Sequence, residues 1–216
     1  MRNPIPKSAL SLAGAVLIAS LGVQAPVSAA SHGQGSSASQ AFALQQAMRK
    51  LWEDHITWTR LFIVSAAANL PDQSPTANRL FQNQVDIGNA IKPFYGERAG
   101  DKLAELLKAH IVGAANVLAA AQENDAARLD AAKQSWFANA DEISAFLSGA
   151  NPKSWPLADM KSMMRQHLDL TLSEAVHQLQ GKYADSVGDY DKVHDEILRM
   201  ADMLSAGIIG QFPSKF

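Results

Sequence analysis

Six histidine and asparagine residues recur along this chain at nearly constant spacing, and together they could form a binding site. Neutral imidazole is the commonest protein ligand for transition metals such as Zn, Cu, Ni and Fe. A buried imidazole without a hydrogen-bond partner costs about 1–3 kcal/mol, so the pattern favours residues that meet inside the fold. Their residue numbers differ by 28, 27, 29, 28 and 27: His55, Asn83, His110, Asn139, His167 and His194.

The stretch LWEDHITWTRLF, residues 51–62, shows why these residues are expected to be buried. With a period of 3.6 residues, His55 falls on the same helical face as Leu51, Trp58 and Phe62. The other five polar residues also lie near the middle of an apolar face. Because the midpoints of antiparallel helices lie at similar heights, the sequence predicts one polar layer across the middle of a helical bundle.

The elements that must position this layer are six long segments with helical periodicity, separated by glycine and proline. They cover about residues 40–69, 75–92, 98–122, 125–148, 157–180 and 183–210. No stretch has the alternation typical of a strand. The prediction is an all-α fold, either a six-helix up-and-down bundle or three packed helical hairpins. A recurring acid–isoleucine pair suggests a triplicated hairpin: Asp86-Ile87, Glu142-Ile143 and Glu196-Ile197.

Three interpretations of the polar layer remain open at this stage. It is a transition-metal site, or a hydrogen-bonded layer that only specifies packing, or a polar pocket for an organic ligand. The candidate metal ligands are His55, His110, His167 and His194. The candidate supporting or pocket residues are Asn83, Asn139, Asp86, Glu142, Trp58 and Trp136, with Trp52 and Tyr190 added for the organic ligand.

The first thirty residues have the composition of a secretory signal peptide. Arg2 and Lys7 precede an apolar run at 9–23, and VSAAS at 27–31 offers a cleavage site. We therefore expect a periplasmic or secreted protein, with a flexible leader at 31–39 and one helical domain at 40–213. Without Arg2 and Lys7, 17 basic residues face 21 acidic ones, a net charge of −4. This balance predicts no nucleic-acid partner, and we expect no membrane insertion after signal cleavage.

Three stretches of the mature chain also carry a resemblance to a known family. They are LWEDHITWTRLFIVSAAANLPD (51–72), QNQVDIGNAIKPFYGERAG (82–100) and YDKVHDEILRMADMLSAGIIGQFP (190–213). They resemble an uncharacterised bacterial family of all-helical proteins, some of which are labelled glycosyltransferase or acetylglutamate kinase. Both chemistries are normally built on α/β folds that bind nucleotides at strand ends, which this sequence lacks. The resemblance implies a helical fold and no particular catalytic residues.

The function predicted from the sequence is binding. We expect an exported helical bundle that holds a metal ion or a small ligand at its middle, with a purely structural or interaction bundle as the alternative. No P-loop, dinucleotide fingerprint or nucleophile-elbow motif occurs, and nothing in the sequence singles out a catalytic residue. An enzyme is therefore the third hypothesis.

Overall fold

The computed structural model describes residues 31–216, with side chains described from residue 38 onward, and these residues form an all-α fold. No strand occurs among them, so the predicted fold class is confirmed. The six long helices are α1 (Ser31–Ala67), α2 (Gln73–Tyr95), α3 (Glu97–Gln122), α4 (Ala126–Ala150), α5 (Leu157–Leu179) and α6 (Tyr183–Gln211). A single 3-10 turn, Pro213–Lys215, follows them.

The helices form a closed ring of three antiparallel hairpins. Each helix packs on the next along the chain, and α6 returns to pack on α1. Within the ring, α5 also contacts α1 and α3. The two architectures predicted from the sequence are thus one and the same: the bundle is made of the hairpins α1–α2, α3–α4 and α5–α6. One helix of each hairpin carries one of the histidines discussed below.

The three hairpin turns share one backbone geometry. Asn69, Asn124 and Gly181 have φ angles of 51°, 54° and 71°, the left-handed conformation that ends a helix in a Schellman motif. In each turn the next residue's N–H donates to the carbonyl five residues earlier, at 2.9, 3.3 and 2.9 Å. Since 124 − 69 is 55 and 181 − 124 is 57, the structural repeat is 55 and then 57 residues long.

Two expectations about the start of the chain have different outcomes. The predicted signal peptide, residues 1–30, lies outside the described residues. Residues 31–39, expected as a flexible leader, are helical and belong to α1. They contain glycine and serine but no proline, so nothing breaks the α1 hydrogen-bond ladder. By length and composition α3 could cross a membrane, but half of its apolar stretch is buried inside the bundle.

One close contact ties the loop between α4 and α5 to the end of α6. A Cβ added to Gly207 would lie inside the van der Waals radius of the buried Trp155 indole. Asn151 in the same loop donates from Nδ2 to the Gly207 carbonyl at 2.9 Å. The loop therefore rests directly on the backbone of α6, and a side chain at residue 207 would separate them.

We expect Gly207→Ala to lower the free energy of unfolding by about 1–3 kcal/mol, the usual cost of overpacking a filled core. Urea denaturation measures the change. Gly188→Ala is the matched control on the same helix, because no atom lies within 4 Å of its added Cβ. The control should gain about 0.5–1 kcal/mol from helix propensity. Equal effects at both positions would contradict the packing argument.

Candidate functional site

Three histidines meet at the centre of the ring, one from each hairpin. His55 on α1, His110 on α3 and His167 on α5 are 3%, 3% and 5% exposed. The ring centroid of His167 lies 6.0 Å from that of His55 and 6.4 Å from that of His110. The histidines are 55 and 57 residues apart, the same intervals as the hairpin turns. They therefore occupy equivalent positions, and we call these three residues the histidine layer.

Each ring in the histidine layer is held through Nδ1 by the second helix of its own hairpin. The partner is 29 residues later in all three cases. Asn139 Oδ1 lies 2.9 Å from Nδ1 of His110, and Glu196 Oε2 lies 3.0 Å from Nδ1 of His167. In the first hairpin Gln84 Nε2 lies 3.2 Å from Nδ1 of His55.

Two of these hydrogen bonds determine which ring nitrogen carries the hydrogen. Asn139 donates from Nδ2 to the Leu106 carbonyl, so its Oδ1 accepts from Nδ1 of His110. A carboxylate likewise accepts, so Nδ1 of His167 donates to Glu196. A neutral ring that donates through Nδ1 has its lone pair on Nε2, the atom free to bind a ligand. Among the described residues, none of the three Nε2 atoms has a hydrogen-bond partner.

Burial keeps two of the three rings uncharged. Loss of solvation lowers the pKa of His110 to about 3, and the nearby His167 lowers it further. Loss of solvation also lowers the pKa of His55 well below its usual value, and His167 and His110 add to the effect. Both imidazoles are therefore neutral at physiological pH, as a metal ligand must be.

Buried polar atoms without a partner concentrate around the histidine layer. Gln84 Oε1 and Glu196 Oε1 belong to residues that hold the rings, and Thr171 Oγ1 lies one turn after His167. The indole Nε1 atoms of Trp52 and Trp136 are also unpartnered, and these indoles lie 5.8 Å and 5.3 Å from rings of the layer. Buried polar groups of this kind indicate bound water or an ion.

Two small cavities lie on the two sides of the histidine layer. The first, about 30 Å³, is lined by Thr59, Ala114 and Thr171, each four residues after a layer histidine, and by Trp136. The second, about 20 Å³, is lined by residues that precede the histidines, including Trp52. Each has room for about one water molecule. An organic ligand needs several hundred Å³, so neither cavity fits the predicted organic pocket.

The fourth predicted ligand, His194, is not part of the layer. It lies on the outer side of α6, where its Nε2 is 3.0 Å from Glu53 Oε1, and its side chain is 33% exposed. The structural repeat gives the reason. The residue that follows His110 by 57 is His167, whereas His194 lies on the second helix of the third hairpin. Its position there corresponds to neither of the other histidine-bearing helices.

The predicted asparagines are both close to the layer. Asn139 holds His110, as described above. Asn83 is fully buried and donates to the Leu51 carbonyl at 3.0 Å, but its neighbour Gln84 is the residue that contacts His55. The sequence analysis did not select Gln84. The 29-residue spacing from each histidine to its partner would have found it, but only after the structure shows which helices are equivalent.

The remaining predicted residues are divided between the layer and the surface. Trp136 is buried beside His110. Trp58 is half-buried on the outer side of α1, where Arg79 stacks on its ring with a distance of 5.3 Å to the centroid. Asp86 bonds to Gln82 on the surface of α2, and Glu142 is exposed on α4. Neither carboxylate reaches the histidine layer.

A second polar cluster fills the interface between α1, α5 and α6. Arg60 Nη1 lies 3.0 Å from Glu174 Oε1 and 2.5 Å from Ser186 Oγ. Burial raises the pKa of Glu174 to about 7 in spite of Arg60. Burial opposes ionisation of Asp189 as well, but hydrogen bonds from Lys192, Ser173 and His177 lower its pKa to about 2. This cluster has no counterpart in the other two hairpins.

The described residues contain no group of three or more His, Asp or Glu side chains already arranged to hold a metal ion. Comparison with protein-family models, with curated proteins and with solved structures finds no match. The resemblance to a helical bacterial family therefore stays a prediction, and the functional argument depends on the chemistry of the histidine layer.

Proposed function

We propose that this chain is an exported helical bundle that binds one transition-metal ion at the histidine layer. The observation that carries the proposal is the equivalent placement of three buried imidazoles whose Nδ1 atoms are held and whose Nε2 atoms are free. Carboxylate and carbonyl partners at the second ring nitrogen orient metal-binding histidines and raise their basicity. Glu196 and Asn139 have this relation to His167 and His110.

Binding requires a small inward movement of the rings. Tetrahedral Zn–N distances of about 2.1 Å place the centroids of two bound imidazoles roughly 5 Å apart. The observed separations, 6.0 and 6.4 Å, are about 1 Å larger. The cavities beside the layer give the side chains space for this shift, and an ion would attract the unpartnered polar atoms around it.

The third hairpin is the best prepared for an ion, and the first is the least. Gln84 Nε2 lies within hydrogen-bond distance of three acceptors, at the Leu80 carbonyl, Asn83 Oδ1 and His55 Nδ1, but it has two hydrogens. With its amide turned over, Gln84 Oε1 would accept from Nδ1 of His55. All three rings would then present a lone pair at Nε2.

A packing role is the second candidate, and one observation favours it. Each ring is already hydrogen-bonded within its own hairpin, so the layer specifies the register of all three hairpins without an ion. A polar residue in the core of a coiled coil has the same effect on register. On this hypothesis the changes that weaken the layer alter stability alone, and no ion is ever taken up.

Metal uptake distinguishes the two candidates. Protein purified after export is stripped with a chelator, dialysed separately against Zn(II), Ni(II) and Ag(I), and its metal content measured by elemental analysis. We expect close to one equivalent of bound ion. The double variant His110→Gln, His167→Gln should lose this uptake because two of three imidazole ligands are gone, while circular dichroism reports whether it folds.

His194→Gln is the matched control, because this histidine lies on the outer surface with Glu53. It should keep the full uptake. Absence of uptake by the wild-type protein would exclude the metal site and leave the packing role. Full uptake in the folded double variant would place the ion elsewhere on the chain and would also contradict the proposal.

A further inference from the structure

The cavity on the N-terminal side of the histidine layer is lined by sulfur. Three of its lining residues are methionines that come from three different helices: Met48 on α1, Met164 on α5 and Met200 on α6. Met48 and Met164 precede His55 and His167 on the faces that carry these histidines. All three methionines are at most 6% exposed. We call the space between them the methionine cavity.

The imidazole rings and the methionine cavity are neighbours. Long helical side chains lean toward the N-terminus of their helix, so the rings of His55 and His167 lean toward this cavity. Trp52 connects the two, because it lines the cavity and its indole centroid lies 5.8 Å from that of His55. The Nε1 atom of Trp52 is buried without a partner. The layer and the cavity therefore form one continuous space for a small ligand.

The charges around this space favour an ion of low charge. No Asp or Glu lines the methionine cavity, and Glu196 is the one carboxylate that contacts the histidine layer among the described residues. The cost of burying an ion in a medium of low dielectric constant rises with the square of its charge, so a monovalent ion costs about a quarter of what a divalent ion costs. A single carboxylate is enough to balance a monovalent ion.

We infer that the ion bound at the histidine layer is a soft monovalent cation, Cu(I) or Ag(I), with methionine sulfur from the methionine cavity as an additional ligand. This inference rests on the proposed function and specifies its ion. Thioether and imidazole ligands together select Cu(I), whereas carboxylate and water ligands select harder ions. The face of Trp52 adds cation–π attraction, which is strong where water is excluded.

Ag(I) is the probe for this inference because it is soft, monovalent and stable in air. We expect the triple variant Met48→Leu, Met164→Leu, Met200→Leu to bind Ag(I) at least about tenfold more weakly, which is a loss of about 1.4 kcal/mol. Its affinity for Zn(II), measured in parallel, should stay within about twofold, since imidazole alone supplies Zn(II). Exchange of methionine for leucine conserves volume and is well tolerated in cores.

The matched control is Met163→Leu, Met203→Leu. These methionines are half-buried on α5 and α6 and do not line the methionine cavity, so Ag(I) affinity should not change. Unchanged Ag(I) affinity in the triple variant, or a wild-type protein that takes up Zn(II) but not Ag(I), would overturn the inference and leave the proposed function intact. A wild-type protein that takes up neither ion would overturn both.

Discussion

The free energy of unfolding should fall by about 1.4 kcal/mol per pH unit between pH 6 and pH 5. The unfolded chain protonates His55 and His110 near their usual pKa of 6.5, but the folded chain does not, because burial lowers both pKa values. The unfolded state therefore binds about two more protons in this range, and acid favours it. Each such proton is worth about 1.4 kcal/mol per pH unit.

Glu174 acts in the opposite direction. Its pKa is raised to about 7 in the folded state, so between pH 7 and pH 4.5 the folded chain holds a proton that the unfolded chain has released. One proton gained by the folded state against two gained by the unfolded state leaves the net slope of one given above. Asp189, with a pKa of about 2, contributes a stabilisation that is lost only below pH 4.

Urea denaturation across this pH range measures the slope directly, and two variants separate its parts. Glu174→Gln removes the opposing group, so the slope should rise to about 2.8 kcal/mol per pH unit. His110→Gln removes one histidine, so the slope should fall close to zero. Because each comparison uses a slope, a uniform loss of stability in either variant does not affect it. An unchanged slope in His110→Gln would show that this ring is not held neutral.

His167→Leu should destabilise the fold by about 3–5 kcal/mol, the usual cost of removing one member of a buried pair. The substitution leaves Glu196, which is 2% exposed, without its only hydrogen-bond partner among the described residues. The volume of the side chain changes little, so the loss comes from the carboxyl group and not from a cavity.

The second substitution in this cycle is Glu196→Leu. The double variant His167→Leu, Glu196→Leu has no stranded polar group, and it should recover most of the stability lost in His167→Leu. Thermal and urea denaturation of all four proteins give the coupling energy. The control pair is His194 and Glu53 on the surface, where the same cycle should give about 1 kcal/mol or less. Additive losses at His167 and Glu196 would contradict a direct interaction.

The helices could be predicted from sequence because glycine, proline and hydrophobic periodicity mark them independently of their neighbours. The predicted segment 98–122 corresponds to Glu97–Gln122, and 183–210 to Tyr183–Gln211. The end of α2 was less accurate, since Pro93 was expected to follow the helix but lies inside it. Proline in the last turn is tolerated where the carbonyl it would block faces outward.

The site was harder to predict because seam position does not identify equivalent helices. His55, His110 and His167 lie together, as a common height predicts, but His194 matched the same apolar pattern and points outward. The acid–isoleucine pairs also give a wrong register, since they recur after 56 and 54 residues and the histidines recur after 55 and 57. A shift of one or two residues rotates a helix by 100–200°, which is enough to exchange core and surface.

The ring closure described above has a consequence for how the chain is connected. Asp202 near the end of α6 binds Gln45 and Arg49 near the start of α1, so the two termini of the bundle lie side by side. No covalent link joins these helices, yet they pack as the linked pairs do. The order in which the hairpins follow one another along the polypeptide is thus independent of the architecture. A circularly permuted chain that begins at α3 would contain every interface of the natural one.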